Sequence, residues 1–526
     1  MIKNSVIKKW ISLALLSVTT TAFASESSSL STMPHSYIGL QKQTGFFRFS
    51  FDNIKMPNNI DNMGLMGVSY FADITPIVYA GVGGYGSVSG TQGGLFVLAF
   101  GGGLHKEFLQ HICGDVGFDV GGGGGHSSLV GGGLMIRPHI GLEYDLRWAR
   151  LGLHYSYINF TSGLIHSQQI GLDLDLPCNF YYVPYAEIQE GLFTASQVHL
   201  FDGKFLDFQR NDFGLILQAY NQHSGTKNTN GEIQDGTISL VGAELDHYIT
   251  QNGFWWIKAS GAYHGIPNGY MDVLGGLGYH WALWPHGLAI VPQMGAGAGG
   301  GGNVDTGGGV VVQPSVGVEI PLSSSFAARL NGGYLWAPKG QLSAYTATGE
   351  ILYHLDFAKG SDKPVKLWTD QFDIRDWRIQ LFNQSYIHPQ RTYHSTIAVA
   401  NLIALQFDQL FTPHFFFSYQ AASAYSGDHM GGYATGMIGP GLQTSPFLNQ
   451  RMQLFGEVLV GAGGGGGLAL GGGALIEPVL GVYYAMTPSI GLQASMSDVK
   501  AINDNLNTPV FNVGLTVRFG LLSPDE

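Results

Sequence analysis

The chain has 526 residues, of which 78 are glycine and only 12% are charged, and its formal net charge at pH 7 is −12. This negative balance argues against a basic surface for binding nucleic acid. Beyond the extreme amino terminus, no apolar run is long enough to cross a bilayer as a helix. The composition therefore excludes a helical membrane protein but leaves a membrane β-barrel open.

The amino terminus predicts export from the cytoplasm. Residues 1–24 combine a lysine-rich start, an apolar core from Trp10 to Val18 and a small-x-small cleavage site that ends at Ala24. This order of segments is typical of a secretory signal peptide that is removed. We therefore expect a mature chain that starts near Ser25.

A glycine-rich motif with the pattern GGGxxxxPxxG occurs three times, in residues 131–141, 307–317 and 471–481. Each copy follows a second glycine run, and the flanking residues keep their apolar or polar class. We interpret the chain as a threefold internal repeat. The proline of each copy falls within a predicted strand, where it removes a ladder hydrogen bond. This predicts a local bulge, with a hinge as the alternative.

The residues that follow each glycine run alternate in polarity. From Leu134 to Leu146 the even positions are mostly apolar and the odd positions mostly polar, which predicts a long β-strand with one apolar and one polar face. Soluble strands average about five or six residues, whereas a tilted strand needs about ten to cross a bilayer. The pattern therefore indicates strands that span a membrane.

The same alternation divides the chain into repeats of about eight strands. The candidate strands of the first repeat are Phe46–Phe51, Gly64–Ala72, Ile77–Val88, Leu95–Phe108, Ile112–Val120, Leu134–Leu146, Leu151–Asn159 and Gln169–Leu176. The predicted segments are a signal peptide (1–24), repeat one (25–176), a connector (177–212), repeat two (213–357), a connector (358–377), repeat three (378–519) and a tail (520–526). Longer connections alternate with tight turns, which predicts that the glycine hairpins face the cell exterior.

The end of the last repeat resembles the carboxy-terminal insertion signal of bacterial outer-membrane barrels. Gly514, Val517 and Phe519 occupy the characteristic places, although the tail after Phe519 departs from the family habit. Each repeat resembles an eight-stranded barrel of the OmpA/OmpX type. The resemblance implies a Gram-negative outer membrane, contact with outer-membrane lipid and lipopolysaccharide, and insertion by the barrel-assembly machinery.

Two architectures are compatible with about 24 strands in an all-β transmembrane fold. One is a single wide barrel, which we favour at this stage, and the other is three small barrels in tandem. A wide barrel holds water, whereas a small one is filled by its own side chains. In a wide barrel Cys113 and Cys178 would stay free, because their strands lie too far apart for a disulfide. Whether they pair in a small barrel is left open.

The inward strand faces are where a pore would lie. The pore-lining candidates are Arg137, Glu143, Asp145, Asp173 and Asp175 in repeat one, Gln313, Glu319, Arg329, His354 and Asp356 in repeat two, and Glu477, Gln493 and Arg518 in repeat three. Acidic residues outnumber basic ones in this set, so a channel built from it would mildly prefer cations.

The sequence contains no motif that points to chemistry. The glycine runs lack the Lys-Ser/Thr pair and the helix of a phosphate-binding loop, and we expect no cofactor, no metal and no catalytic residues. His154 and Ser156 share a strand face, but alternation turns that face inward, so an enzyme is not expected. We expect a porin-like channel for small hydrophilic solutes. The alternative is a non-conducting surface-exposed outer-membrane protein with an adhesive or structural role, and the oligomeric state stays open.

Overall fold

The computed structural model describes residues 37–125, 127–188, 191–265, 269–284, 287–392 and 397–525. The predicted signal peptide lies outside these residues. Regular structure is almost entirely β. The helical elements within the described residues are one short α-helix, α1 (Ser127–Val130), and two 3₁₀ turns, Tyr185–Glu187 and Ala195–Gln197. Among the described residues, no helix is long and apolar enough to cross a membrane.

The first repeat closes on itself as an eight-stranded antiparallel barrel, called barrel 1. A short strand, β1 (Ile38–Gln43), precedes it. The barrel strands are β2 (Gly45–Ile54), β3 (Met63–Asp73), β4 (Val78–Ser89), β5 (Phe96–Leu109), β6 (Ile112–Gly124), β7 (Met135–Asp145), β8 (Arg150–Phe160) and β9 (His166–Pro177). Closure comes from β2 pairing with β9, from Phe46 opposite Pro177 to Phe51 opposite Leu172.

The second repeat forms barrel 2 after a connector with four short strands. The connector strands are β10 (Phe180–Pro184), β11 (Phe193–Thr194), β12 (Val198–Leu200) and β13 (Phe205–Gln209). The strands of barrel 2 are β14 (Asn211–Gln222), β15 (Thr237–Tyr248), β16 (Gly253–His264), β17 (Met271–Tyr279), β19 (Ala289–Gly300), β20 (Val310–Pro321), β21 (Phe326–Trp336) and β22 (Ser343–His354), with the short β18 (Trp281–Ala282) beside β19. The ring closes where β14 pairs with β22.

The third repeat forms barrel 3. It follows β23 (Phe357–Ser361) and consists of β24 (Gln371–Ile387), β25 (Val399–Leu410), β26 (Phe415–Ser426), β27 (Ala434–Gln443), β28 (Met452–Gly464), β29 (Ala474–Ala485), β30 (Ile490–Ala501) and β31 (Asn507–Pro524). Pairing of β24 with β31 closes the ring.

The all-β fold and the 24 barrel strands in three groups of eight agree with the sequence analysis, but the favoured single wide barrel is wrong. The alternative, three small barrels in tandem, is the observed architecture. Alternation predicts which face of a strand is apolar, but it does not predict which strand closes the barrel. In each repeat of about 150 residues the first strand pairs with the last, so no unpaired strand edge remains to join a single wide barrel.

All three barrels have the same polarity. Their longer loops, including the glycine hairpins, lie at one end, called the hairpin end, and their tight turns lie at the other, called the base end. The motif prolines do not form the predicted bulge. On the side where each proline faces the following strand, the pairing is interrupted and resumes in the same register, as between Ile136–Asn159 and His139–Ser156. Proline has no N–H to donate there, and the ladder omits the bond without shifting.

The connector strands gather at the base end, where some extend the sheet of barrel 3 and two form a separate pair. β10 pairs with β1 and with β31, and β13 pairs with β23. Phe372 and Leu522 are buried here in one apolar cluster with residues from both connectors. The segment after Phe519 is therefore not a free tail. It extends β31 to Pro524, and Leu522 pairs with Ile374 of β24.

Cys113 and Cys178 are both free. The prediction of free thiols was tied to a wide barrel, and that link is wrong, because the thiols are free in a small one. Cys113 opens β6, and Cys178 follows β9 at the base end with its N–H donating to the Gly45 carbonyl at 2.8 Å. Burial raises the pKa of the Cys178 thiol.

The three barrels pack against one another in a ring at the hairpin end. The glycine hairpin of each barrel, between its fifth and sixth strands, lies against the loop between the third and fourth strands of a neighbour. Barrel 2 inserts its hairpin against barrel 1, barrel 3 against barrel 2, and barrel 1 against barrel 3. This is a head-to-tail contact repeated until it closes, as in a cyclic trimer.

Glycines bring the backbones together at each seam. Gly93 N donates to Gly307 O at 2.9 Å between barrels 1 and 2, and Gly431 N donates to Gly131 O at 2.8 Å between barrels 3 and 1. Between barrels 2 and 3, a Cβ added to Gly464 would overlap the Cα of Gly269. The glycine runs thus serve close contact between barrel walls.

We predict that Gly464→Ala destabilises the protein by about 1–3 kcal/mol, because the new methyl group meets backbone that cannot rotate away. The measurement is unfolding of the detergent-solubilised full chain by heat or urea. Gly436→Ala in the same barrel is the matched control, since a Cβ at Gly436 meets no atom within 4 Å. Equal stability of the two variants would contradict the role assigned to the seam.

Candidate functional site

The site predicted from the sequence is the inward face of the strands, and this face becomes three separate closed interiors. In β2, for example, Arg48, Ser50 and Asp52 are buried inside barrel 1, while Phe47 and Phe51 point outward. An eight-stranded barrel is just wide enough for its side chains to fill it. The chemistry of each interior is therefore that of a packed core.

Arg48 binds three carboxylates in the half of the barrel 1 interior that is nearer the base end. Its Nε and Nη2 donate to the two carboxylate oxygens of Asp175, both at 2.8 Å, which is the bidentate geometry that suits a guanidinium. Nη2 also donates to Glu143 at 2.6 Å, and Nη1 donates to Asp115 at 3.1 Å. Three carboxylates from different strands thus share one arginine.

Arg137 does the same in the next layer of barrel 1. It donates to Asp52 and to Asp119, each at 2.9 Å. The ring nitrogens of His154 lie 2.6 Å from Asp173 and 2.9 Å from Asp52. The two arginine layers join strands from opposite walls, so together they tie the barrel across its diameter.

Barrel 2 repeats this arrangement around Arg329. Its guanidinium lies 2.8 Å from Asp246, 2.9 Å from Glu319, 3.2 Å from Glu350 and 3.3 Å from Glu244. The four carboxylates come from three other strands and share one side chain that has no exposed surface.

The other predicted residues of barrel 2 divide between its centre and its base end. Gln313 accepts a hydrogen bond of 2.6 Å from Lys258 in the interior. His354 lies at the base end, with Nδ1 at 2.5 Å from Asp212, and Asp356 accepts a 3.1 Å bond from the Asn211 amide. His354 and Asp212 thus join the closing strands β22 and β14, and Asp356 joins the connector to the start of β14.

Barrel 3 has a single central arginine, Arg378. It donates to Asp408 at 2.7 Å and to Gln443 at 2.9 Å, and its guanidinium carbon lies 3.8 Å from the centre of the Tyr483 ring. A guanidinium stacked on an aromatic face gains a cation–π attraction in addition to its ion pair. Glu477, predicted from the sequence, is buried and accepts a 2.6 Å bond from Ser497.

The remaining predicted residues lie at the barrel ends or on the last strand. Asp145 sits at a base-end turn, where its carboxylate accepts a 2.6 Å bond from the Arg147 amide. Arg518 pairs with Asp376 at 2.5 Å near the base end. Gln493 is buried inside barrel 3. Three residues of the proposed insertion signal lie in β31, namely Gly514, Val517 and Phe519.

The sequence analysis missed several central residues. Arg48, Lys258 and Arg378 were not identified, although β2 alternates Phe47, Arg48, Phe49, Ser50 and Phe51 as clearly as the strands that were used. Alternation along every strand, and not only near the glycine motif, would have found them. What it could not supply is which carboxylates each arginine binds.

Buried carboxylates outnumber buried cationic side chains in the described interiors. Burial of an unpaired charge is costly, so the surplus requires other donors. Neutral groups supply them: Tyr220 donates to Asp272 at 2.7 Å and Ser418 donates to Glu457 at 2.7 Å. The interiors are polar and tightly hydrogen-bonded.

Apolar plugs close the interiors at the hairpin end. In barrel 1, Leu129 and Val130 of the glycine hairpin pack inside against Ile158 and Phe160. Leu468 and Leu470 take the same part in barrel 3, and Val304 does so in barrel 2. Each hairpin therefore has two roles, since its glycines contact a neighbouring barrel and its apolar residues fill its own barrel mouth.

His154 and Ser156, which share a strand face, do not form a nucleophile and base pair. His154 and Ser156 are almost completely buried inside barrel 1 and bind the same Asp52 oxygen, with Ser156 at 2.7 Å, so the serine is paired with a carboxylate and not with the histidine. Within the described segments, no group of three or more His, Cys, Asp or Glu side chains could hold a metal ion.

The outward faces of the barrels are apolar. Large exposed side chains include Leu142, Leu153 and Ile170 on barrel 1, Leu217, Leu330 and Ile351 on barrel 2, and Leu480, Met496 and Val513 on barrel 3. Ile170 and Leu330 are 72% and 71% exposed. Exposed apolar side chains grouped in this way are typical of a surface that meets a membrane or another protein.

No protein-family model and no curated protein matches the chain. Similar solved structures include a variant of the ferric enterobactin receptor PfeA from Pseudomonas aeruginosa, with 10% identity over 92% of this chain and 81% of that one and a TM-score of 0.27. Another is OccK11 from Pseudomonas aeruginosa, with 11% identity over 93% and 99% and a TM-score of 0.20. OccAB3 from Acinetobacter baumannii has 9% identity over 91% and 98% and a TM-score of 0.22. At these TM-scores the likeness carries no argument about function.

We predict that Arg329→Met destabilises the full chain by about 3–5 kcal/mol, because it leaves four carboxylates in a dry interior without their cation. Unfolding by heat or urea in detergent measures the change. Arg451→Met is the control, since Arg451 is exposed at a base-end turn. If both variants unfold at the same point as the parent, Arg329 does not hold barrel 2 together.

Proposed function

We propose that the protein is an outer-membrane protein whose three barrels cross the bilayer side by side without conducting solutes. The observation that carries this proposal is one fully buried arginine inside each barrel: Arg137, Arg329 and Arg378 are 2%, 0% and 1% exposed. Residues that line an aqueous channel keep contact with water. A buried arginine without contact to water leaves no open path for a solute at its level in the barrel.

The barrel dimensions and surfaces support a membrane location. Most barrel strands have 10–13 residues. A strand of about eleven residues is about 36 Å long and, tilted by about 45°, rises about 26 Å, which matches the apolar band of outer-membrane barrels. The exposed leucine and isoleucine side chains of the three barrels would be costly to expose to water, whereas lipid chains would cover them. The connector strands at the base end would then lie in the periplasm.

Two obstacles in series argue against the channel that the sequence analysis expected. A solute would first have to displace the apolar plug at the hairpin end, for example Leu129 and Val130 in barrel 1. It would then have to break a guanidinium away from its carboxylate partners, which number one for Arg378, two for Arg137 and four for Arg329. The non-conducting alternative of the sequence analysis fits this interior better.

Three finer expectations belong to the same proposal. The β31 residues Gly514, Val517 and Phe519 would present the insertion signal to the barrel-assembly machinery, with the strand extended to Pro524. The hairpin end would face lipopolysaccharide and the cell exterior. The protein would have no enzymatic activity, and its role would be to display loops on a rigid scaffold.

Planar-bilayer recording tests the central claim. We predict that the purified full chain inserted into a bilayer gives no reproducible conductance steps in molar potassium chloride, because no described barrel interior holds a water-filled path. Steps of constant size that scale with protein concentration would overturn the proposal and restore the channel. In that case the acidic interior predicts a reversal potential that favours cations and weakens with salt.

Thiol labelling in intact cells tests the orientation. In a variant with Cys113→Ser and Cys178→Ser, we predict that Asn230→Cys at the hairpin end reacts with a membrane-impermeant maleimide added outside. Ser324→Cys in a base-end turn is the matched variant and should react only after the outer membrane is permeabilised. Both positions are exposed in the fold. If Ser324→Cys reacts in intact cells and Asn230→Cys does not, the proposed topology is inverted. If neither cysteine reacts even in broken cells, the proposed exposure of these two loops is wrong.

A further inference from the structure

An aromatic cleft lies on the outward side of barrel 2 at the hairpin end. Tyr334 and Trp336, near the end of β21, stack with ring centres 5.9 Å apart. Tyr345, on the neighbouring β22, meets Tyr334 at 5.6 Å with the ring planes 65° apart. His223 meets Tyr345 at 5.2 Å with the planes 89° apart. The four rings form a corner, which we call the aromatic cleft.

The aromatic cleft adjoins an open pocket of about 550 Å³, which is lined by Tyr334, Trp336, Ala337, Gly340, Gln341, Leu342 and Ser343. The rings of Tyr345 and His223 lie outside this lining and pack against Tyr334, with centres 5.6 and 5.7 Å from its own. Ligand pockets typically measure about 300–1,000 Å³ and combine aromatic walls with a few polar groups. Here Gln341 supplies an exposed amide, and Ser343 supplies a hydroxyl.

One ring of the cleft is held in place by the backbone and by a side chain. His223 Nδ1 lies 2.9 Å from Ser343 Oγ, and its amide donates to the Ser343 carbonyl at 3.1 Å. The loop that closes the cleft is fixed as well, since Ala337 N donates to Leu342 O at 2.9 Å. The cleft is therefore preformed, which lowers the entropic cost of binding.

Barrels 1 and 3 lack the cleft at the corresponding positions. The same hairpin-closing bond joins Phe160 N to Ile165 O in barrel 1 and Ala501 N to Leu506 O in barrel 3, which aligns the three hairpins residue by residue. The places of Tyr334, Trp336 and Tyr345 are taken by Tyr157, Asn159 and Gln168 in barrel 1 and by Asp498, Lys500 and Pro509 in barrel 3.

This asymmetry argues against a purely membrane-anchoring role for the rings. Aromatic girdles occur at both interfaces of outer-membrane barrels, and they surround the barrel. A girdle alone would favour aromatic residues at the equivalent places of all three barrels. In this hairpin only barrel 2 has the full set, and there it adjoins the polar Gln341 and Ser343. The cleft is thus a specialised feature of one repeat.

We propose that the aromatic cleft binds a saccharide. The faces of aromatic rings carry partial negative charge and attract the weakly positive C–H groups on the faces of a sugar ring. The amide of Gln341 and the hydroxyl of Ser343 can both donate and accept hydrogen bonds, which suits sugar hydroxyl groups.

The charges near the cleft favour a sugar over a cationic ligand. Aromatic cages also bind quaternary ammonium groups. However, no carboxylate belongs to the lining residues, and the closing loop contains the exposed Lys339. The lining thus offers a cationic ligand no carboxylate partner. Asp305, beside the loop, bonds to Gln341 and Leu342 through its backbone carbonyl, and its carboxylate accepts a 2.9 Å bond from the Gly307 N–H. A neutral sugar needs no such partner, and an acidic sugar could pair with Lys339.

Glycan binding by the detergent-solubilised full chain tests this proposal. The probes are maltohexaose, chitohexaose and deacylated lipopolysaccharide core oligosaccharide, and the readout is saturation-transfer NMR. The first two represent free sugars and the third a sugar of the surrounding lipid. We expect at least one probe to bind with its ring protons in contact with the protein. Tyr334→Ala and Gln341→Ala, which change two lining residues, should each weaken that binding at least tenfold.

Matched positions in barrel 1 provide the controls. Gln168→Ala and Tyr157→Ala change the counterparts of Tyr345 and Tyr334 and should leave sugar binding unchanged. Because Gln341 is exposed and Tyr334 is only half-buried on the outward face, their replacement should preserve the fold, which thermal unfolding verifies. Absence of binding by all three probes would overturn the proposal. So would binding that survives both cleft variants, or binding of tetramethylammonium in place of the sugars. None of these results bears on conductance.

Discussion

Burial of charge inside narrow barrels is the constraint on which the rest of the structure depends. Eight strands leave no room for water, so each interior must satisfy its own polar groups. The described interiors contain one or two buried arginines per barrel, which pair with two to four carboxylates in barrels 1 and 2 and with Asp408 and Gln443 in barrel 3. Arg329 with Glu244, Asp246, Glu319 and Glu350 is the most concentrated example. Such a network joins the walls and blocks the lumen at the same time.

The glycine hairpins follow from a second constraint, which is that three barrels in one chain need walls that can touch. A β-barrel surface of leucine and isoleucine is suited to lipid and keeps neighbouring backbones apart. Where the residues are glycines and have no side chain, as at Gly93, Gly307 and Gly464, the backbones of neighbouring barrels approach each other directly. Because each hairpin meets a different neighbour, three repeats close the ring and leave no hairpin without a partner.

The sequence predicted much of the local structure and little of the tertiary closure. Alternation in segments such as Leu134–Leu146 located strands and their inward faces, because the side-chain period of a strand is set locally. The choice between one barrel and three depended on pairings such as β2 with β9, more than 100 residues apart, which periodicity does not encode. The same limit applies to the site: Arg137 and Glu143 lie inside barrel 1, but their partners Asp52 and Arg48 come from the distant β2.

The two roles of the glycine hairpin could not be separated in the sequence for a related reason. A glycine run indicates that another group approaches the backbone closely, but it does not identify that group. The contact of Gly131 with Gly431, and the insertion of Val130 into the mouth of its own barrel, appear only once the barrels are assembled. Internal repetition indicated that the feature mattered three times over.

An electron cryo-microscopy map of the full chain in lipid nanodiscs tests the central claim most directly. Our account predicts three separate eight-stranded rings, each with continuous side-chain density across its interior at the heights of Arg137, Arg329 and Arg378. One continuous wall of about 24 strands around a single open lumen, or three rings with empty centres, would contradict it.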